Sequence, residues 1–419
     1  MADSELPSDV QPPSDIQLAE RHIERPSKEV VFMLLAWWLE YSPDAKDPPD
    51  ITDMVEGEEI VKKYNKLGAL IVTPETRVLA MDCTRGEAHV VQKLILLCRT
   101  NGWMLDGCVL YTSRLPCSHC TKLMVQAKLK KVYCLPIEPE LYDPKEFIDS
   151  DRKAVDKLYR INGLGISYLT PNVTNLKVSP SEEIFINVRT PKYELKRELL
   201  FDEEFYRDEE AAGSSVNAGK WKEGHLKRCK EDFAKAARWL SDKTFGEIPK
   251  DIHFANRSAK AMHTLRMANI LVLRSDDPKT GVGAVITKGD SENEVYCGLG
   301  WNGFPQGAQH SDYPRAAEKT DVHHERKYPY VVHGEINALS NGRNWHYVPG
   351  DFKSYQTKIP CDDCTPVLYE MGVREIYHPS SDSKKRQKSG IGYSKIQEYC
   401  EKKKIKCFEA TKSDKPGEK

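Results

Sequence analysis

One interval occurs twice in this chain and constrains its fold more than any other feature. His89 stands 28 residues before Cys117, with Cys120 three further on, and His333 stands 28 residues before Cys361, with Cys364 three further on. The same register, run on without a gap, matches Thr121 with Thr365 and Tyr133 with Tyr377. One imidazole and two thiolates form a common ligand set for a metal ion such as zinc. A set repeated with its spacing implies two segments that fold alike.

The hydrophobic periodicity around each set agrees. In the first segment an amphipathic helix, "SKEVVFMLLAWWLEY", with Ser27 as its cap, precedes an acidic, proline-bearing loop and the hairpin "GALIVTPETRVLAMDC". A helix from about Ala88, the strand "CVLYTS", a helix opened by "RLPCSHC" and the strand "KVYCLP" follow. The second segment repeats this order with "SAKAMHTLRMANILVLRS", the hairpin "GVGAVITKGDSENEVYCGLGW", a helix at "HGEINAL", the strand "FKSYQT", "KIPCDDC" and its helix, "VREIYH", "YSKIQEYCEKK" and "KCFEA". Helices alternating with strands imply tandem α/β domains, each of three layers around a mixed central sheet. The expected division is a tail over 1–26, domains over 27–140 and 251–411, a linker with helical pieces over 141–250, and a tail over 412–419.

Charge and cysteine content narrow the partners. With a formal net charge of -1 the chain has no global basic field, so a nucleic-acid partner is not expected. The acidic N-terminus lacks the pattern of a signal peptide, and "VVFMLLAWWL" has about half the length of a bilayer crossing. No membrane partner is expected. Twelve cysteines without a secretory signal read as reduced thiols and metal ligands, which points to the cytoplasm, with the nucleus as an alternative. "KKRQK" at Lys384–Lys388 reads as a solvated loop more readily than as an import signal.

The second set has the makings of a catalytic site. His333, Cys361 and Cys364 give three ligands, leaving a fourth position for water, and Glu335 follows the histidine by two residues, placed to carry protons without binding the metal. No further Cys or His at regular spacing closes the set. The order His-x-Glu followed by Pro-Cys-x-x-Cys is the signature of zinc-dependent nucleobase deaminases, in which the glutamate is the general acid and base.

Beyond that signature, "RSDDPKTGVGAVI", "GLGWNGFPQG", "KYPYVVHGEINAL" and "PCDDC" occur in the order found in deoxycytidylate deaminases. This half therefore resembles the zinc-dependent cytidine and deoxycytidylate deaminase family, and the whole chain resembles members that join an altered deaminase domain to an intact one. The resemblance implies tandem cytidine-deaminase-like domains and a free deoxycytidine nucleotide, dCMP or dCTP, as substrate. It also implies a homo-oligomer and a nucleotide effector. Carried over by motif, Asn302 is expected beside the sugar or phosphate, its alternative being an Asn-Gly turn residue. Lys279 and Thr280 are expected near phosphate, Lys279 having the alternative of a solvated charge. The insertion from Phe304 to Tyr330, with Arg315, Lys319, His323, His324, Arg326 and Lys327, is read as a lid, a subunit contact or a charged loop. Action on cytidine, deoxycytidine or single-stranded nucleic acid, or nucleotide binding without catalysis, are the alternatives.

In the first half His89, Cys117 and Cys120 keep the ligand positions, while Val91 stands where Glu335 stands in the second. Glu87 precedes His89 by two residues and lies about 200° away around a helix, so it does not replace the lost acid. The expectation is a second, non-catalytic zinc, making two per chain, in a domain that is a scaffold or an allosteric nucleotide site.

Overall fold

The computed structural model describes residues 25–48, 50–55, 58–86, 88–173, parts of 228–240, 255–277, 280–289, 294–305, 327, 329–342, 352–379 and 395–410. The first half contains α1 (Lys28–Glu40), β1 (Ile51–Val55), β2 (Glu58–Tyr64), β3 (Gly68–Val72), β4 (Val78–Cys83), α2 (Val90–Thr100), β5 (Val109–Thr112), α3 (Ser118–Gln126), β6 (Lys131–Cys134), β7 (Leu141–Asp143), α4 (Lys145–Asn162) and β8 (Gly165–Tyr168). The second contains α5 (Ala255–Val272), β9 (Gly283–Lys288), β10 (Val295–Trp301), α6 (Gly334–Asn341), β11 (Phe352–Gln356), α7 (Cys364–Glu370), β12 (Val373–Pro379), α8 (Ile396–Lys403) and β13 (Lys406–Ala410).

The two main sheets have the same topology, β4-β3-β5-β6-β8 and β10-β9-β11-β12-β13. In each, the first hairpin strand pairs antiparallel with two neighbours, and the last three strands run parallel. Successive side chains of a strand face opposite sides. Leu70 and Val72 accordingly join a core with α1, while Ala69 and Ile71 pack with Val91 and Leu94 of α2 and Met124 of α3. Val285 likewise joins the core containing α5, and Ala284 and Ile286 pack with Ala338 of α6, Leu368 of α7 and Cys400 of α8. Each half is thus a three-layer α/β/α unit around a mixed sheet.

Close approach at the start of the first hairpin strand, β3 or β9, is built the same way in both halves. A Cβ on Gly68 would lie 2.2 Å from the Ala36 carbonyl oxygen, and one on Gly283 would lie 1.8 Å from that of Ala268. Only glycine lets the helix settle onto the strand there.

Two expectations for the first half are corrected. The acidic, proline-bearing stretch holds the hairpin β1/β2, which forms a separate three-stranded sheet with β7. Its run of charges, "EGEEIVKKY", masks the strand alternation. The first unit also continues past residue 140, because β8 pairs with β6 and so completes the sheet. Within the heavily charged α4 that leads to β8, Val155 and Tyr159 are the buried pair one turn apart, a stripe too narrow to stand out. The tail over 1–24, most of 174–254, Lys384–Lys388 and 411–419 lie outside the described residues. No helix among the described residues is long and apolar enough to cross a membrane.

The halves share one apolar cluster, in which Leu34 and Leu35 of α1 join Leu265, Ala268 and Leu271 of α5. Polar contacts cross the same seam. Lys260 Nζ lies 2.5 Å from Asp44 Oδ2 and 3.3 Å from Glu294 Oε2, and the Trp38 indole N–H donates to the His263 carbonyl at 3.0 Å. The Trp38 and His263 rings stack at 4.9 Å. Burial, with Lys260 and Arg85 nearby, holds the His263 pKa at about 3 instead of the usual 6.5. Below pH 6.5 the unfolded chain therefore takes up a proton that the folded chain refuses until about pH 3, and stability falls as pH drops through that window. His263→Phe keeps a stacked ring without titrating. Urea unfolding is expected to show the wild type losing up to about 1.4 kcal/mol more per pH unit below 6.5 than this variant.

Candidate active site and its counterpart

In the second half, α6 and α7 bring the ligands together at their N-termini. His333 precedes α6 as its cap residue, and Cys361 and Cys364 flank the start of α7. His333 Nδ1 lies 3.2 Å from Cys364 Sγ and 3.4 Å from Cys361 Sγ, and the three ligand atoms fall within 4.8 Å of one another. A hydrogen bond from the Cys364 thiol, together with His333, holds Cys361 below the usual thiol range against the effect of burial. Two soft thiolates and an imidazole at this separation suit zinc, and among the described residues no fourth ligand joins them.

Glu335 lies on the first turn of α6 and is 4% exposed. Burial raises its carboxyl to about 7, with His333 opposing the shift. Gln356, at the end of β11 and fully buried, has one end of its amide 3.0 Å from Glu335 Oε1 and 3.2 Å from the Lys358 carbonyl and the other 2.7 Å from Ser354 Oγ. Two acceptors at the first end and a hydroxyl at the second are all satisfied when the amide nitrogen is the atom turned toward Glu335. Gly334, between ligand and acid, backs against β9: a Cβ there would lie 2.8 Å from the Val282 carbonyl oxygen.

The residues expected around the nucleotide have definite partners. Asn302 is 4% exposed, and its oxygen accepts from the Val282 N–H at 2.6 Å and from Ser275 Oγ at 2.7 Å. Its nitrogen donates to the Thr280 carbonyl at 2.8 Å and to Asp277 Oδ2 at 3.3 Å. All four hydrogen-bonding positions of the amide thus serve the loop before β9. The Thr280 N–H donates to Asp277 Oδ1 at 2.9 Å, and that carboxylate also pairs with buried Lys327. Lys279 lies outside the described residues, as do Arg315, Lys319, His323, His324 and Arg326 of the insertion.

The first half also assembles its set, but with different surroundings. His89 precedes α2 and Cys117 precedes α3 as cap residues, with His89 Nδ1 3.5 Å from Cys117 Sγ. Val91 is fully buried among Val90, Leu94 and Ile95 in the apolar layer. A fourth group, Glu140, lies with His89, Cys117 and Cys120 inside the same 4.8 Å limit. Burial alone would raise its carboxyl, but hydrogen bonds from His89 and the Cys117 N–H hold it below its usual range. Glu87 lies outside the described residues.

Sequence reasoning missed Glu140 and Gln356. Glu140 belongs to no motif; it reaches the ligands because β7 pairs with β2. Gln356 had a signal in the repeat itself. Its register partner on the neighbouring strand is Ala284, and the residue paired in the same way with Ala69 of the first half is Thr112. The acid and the amide that faces it are thus both replaced in the first half, by Val91 and Thr112.

The cytidine and deoxycytidylate deaminase zinc-binding region matches the chain twice, over residues 54–136 and 258–379. Cytidine and dCMP deaminase domain-containing protein 1 of Danio rerio is 26% identical over 415 residues, covering 86% of this chain and 85% of that protein. Deoxycytidylate deaminase of Homo sapiens is 36% identical over 128 residues, covering 28% of this chain and 67% of that protein. The crystal structure of dCMP deaminase from the cyanophage S-TIM5 in complex with dCMP and dUMP has 21% identity and a TM-score of 0.26, covering 35% of this chain and 92% of that one.

Proposed function

Because the chain belongs to the cytidine and deoxycytidylate deaminase family, we propose that its second half hydrolyses the exocyclic C–N bond of cytosine in a free deoxycytidine nucleotide, dCMP or dCTP. The observation that carries this reading is the buried Glu335 carboxyl beside a three-ligand His333, Cys361, Cys364 set. Zinc held there supplies Lewis acidity, which lowers the pKa of water from about 15.7 toward roughly 7. Glu335 takes a proton from the attacking water and passes it to the ring nitrogen, then takes the remaining proton of the C4 hydroxyl and delivers it to the amine as the C4–N bond breaks. Water is consumed, the C4 amino group becomes a carbonyl, and ammonia leaves. A carboxyl poised near neutrality suits both directions of proton transfer, and Gln356 fixes the oxygen it faces.

Asn302 supports the substrate side by shaping the loop that carries Thr280. Homo-oligomerisation and a nucleotide effector belong to the same reading and rest on the family likeness. The test is a panel of dCMP, dCTP, deoxycytidine, cytidine and a cytosine-containing oligonucleotide, followed by ammonia release. Turnover of dCMP or dCTP in preference to the rest is expected. Turnover of the oligonucleotide alone would sink the proposal.

A further inference from the structure

Glu140 differs from an ordinary buried acid in what its two oxygens face. Oε1 is 2.8 Å from His89 Nδ1 and 3.8 Å from Cys120 Sγ, toward the point shared by the imidazole nitrogen and the two sulfurs. Oε2 accepts from the Cys117 N–H at 2.9 Å, which fixes the rotation of the carboxylate. The backbone is pinned as well. The Glu140 N–H donates to the Leu115 carbonyl at 2.9 Å, and the Asn65 N–H donates to the Glu140 carbonyl at 2.7 Å. Tyr64, from the same small sheet, covers the ring of His89 edge-on at 4.8 Å.

Zinc bonds of about 2.0–2.3 Å place tetrahedral ligands roughly 3.3–3.8 Å apart. The 3.5 Å between His89 and Cys117 and the 3.8 Å between Glu140 and Cys120 match that spacing, and the 2.8 Å hydrogen bond between His89 Nδ1 and Glu140 Oε1 is the one separation that must open, by about half an ångström, for both to ligate. The donor set of one nitrogen, two sulfurs and one carboxylate oxygen is one that zinc accepts, and four protein ligands are the hallmark of a closed, structural site. In the second half, among the described residues, no carboxylate joins His333, Cys361 and Cys364 in this way.

We propose that the first half binds zinc through His89, Cys117, Cys120 and Glu140, with the Glu140 carboxylate filling the coordination position that the second half leaves for water. The first site is thereby closed to exogenous ligands, and it is inactive for two separate reasons, the loss of the acid at Val91 and the occupation of the fourth position. Val91→Glu alone does not reverse the second.

Cobalt(II) spectroscopy on the full-length chain tests this without any turnover, so the outcome is independent of the activity of the second half. In a Cys361→Ser background, one tightly held cobalt per chain is expected, with tetrahedral absorption bands that do not change on adding azide. Glu140→Ala in that background is expected to give azide-sensitive bands and release of metal to a chelator at least about tenfold faster. In the wild-type chain loaded with two cobalt ions, only one equivalent is expected to respond to azide, a readout that needs no Glu140 variant to fold. Azide-sensitive bands in the Cys361→Ser protein itself, or unchanged bands and release after Glu140→Ala, would overturn the proposal.

Discussion

Glu335→Ala is expected to reduce ammonia release from dCMP or dCTP by about 10²–10⁴-fold, the range for loss of a positioned general acid and base. Metal content should not fall with it, because the carboxyl is not among the three grouped ligands. Glu335→Gln separates proton transfer from shape: it preserves the size of a side chain that is 4% exposed and can still meet Gln356, but it carries no titratable proton. Both variants should be similarly slow. If Glu335→Gln kept near-normal turnover, the proton role would be wrong. Rates read by coupled ammonia detection, alongside metal analysis of the same samples, make the comparison.

The doubled interval was enough to pair His89 with His333 and to place all four cysteines at helix starts, because helix N-termini at the ends of sheet strands follow from local pattern. Tandem three-layer units were legible for the same reason: β3 and β9 alternate sides, and α1 and α5 carry long apolar stretches. What escaped depended on long-range pairing. The β1/β2 hairpin carries its apolar residues among runs of charge and gains its meaning only when β7 joins it, 77 positions after Tyr64 in the case of the Tyr64 and Leu141 pair. Glu140 sits immediately before that strand, so a local reading sees one more acid in a charged stretch. Seen from the sequence, the first set had three ligands; the fold supplies the fourth candidate. Asn302 is a second example, since nothing in "GWNG" reveals that its amide is already engaged by residues twenty or more positions earlier.

Arg114 is where the largest loss of stability is expected. Its side chain is fully buried, with Nη2 2.8 Å from Glu40 Oε1, Nε 3.1 Å from the Lys66 carbonyl and Nη1 2.9 Å from the Glu138 carbonyl. Glu40 closes α1 and is itself 4% exposed. Arg114→Met strands that carboxylate in the core, which costs about 3–5 kcal/mol; replacing both partners with methionine removes the stranded charge and should restore much of the loss. Urea unfolding of the single and double variants measures the difference, and a single-variant cost below about 1 kcal/mol would show that the pair is not a structural tie. The two variants should part company at the metal. Arg114 also holds the carbonyl two residues before Glu140, and methionine cannot donate to it in either variant. Chelator-induced zinc release from the first half should therefore remain faster than wild type in the double variant, even where its stability recovers, because the charge pair and the anchoring of the Glu140 strand are separate tasks of one guanidinium.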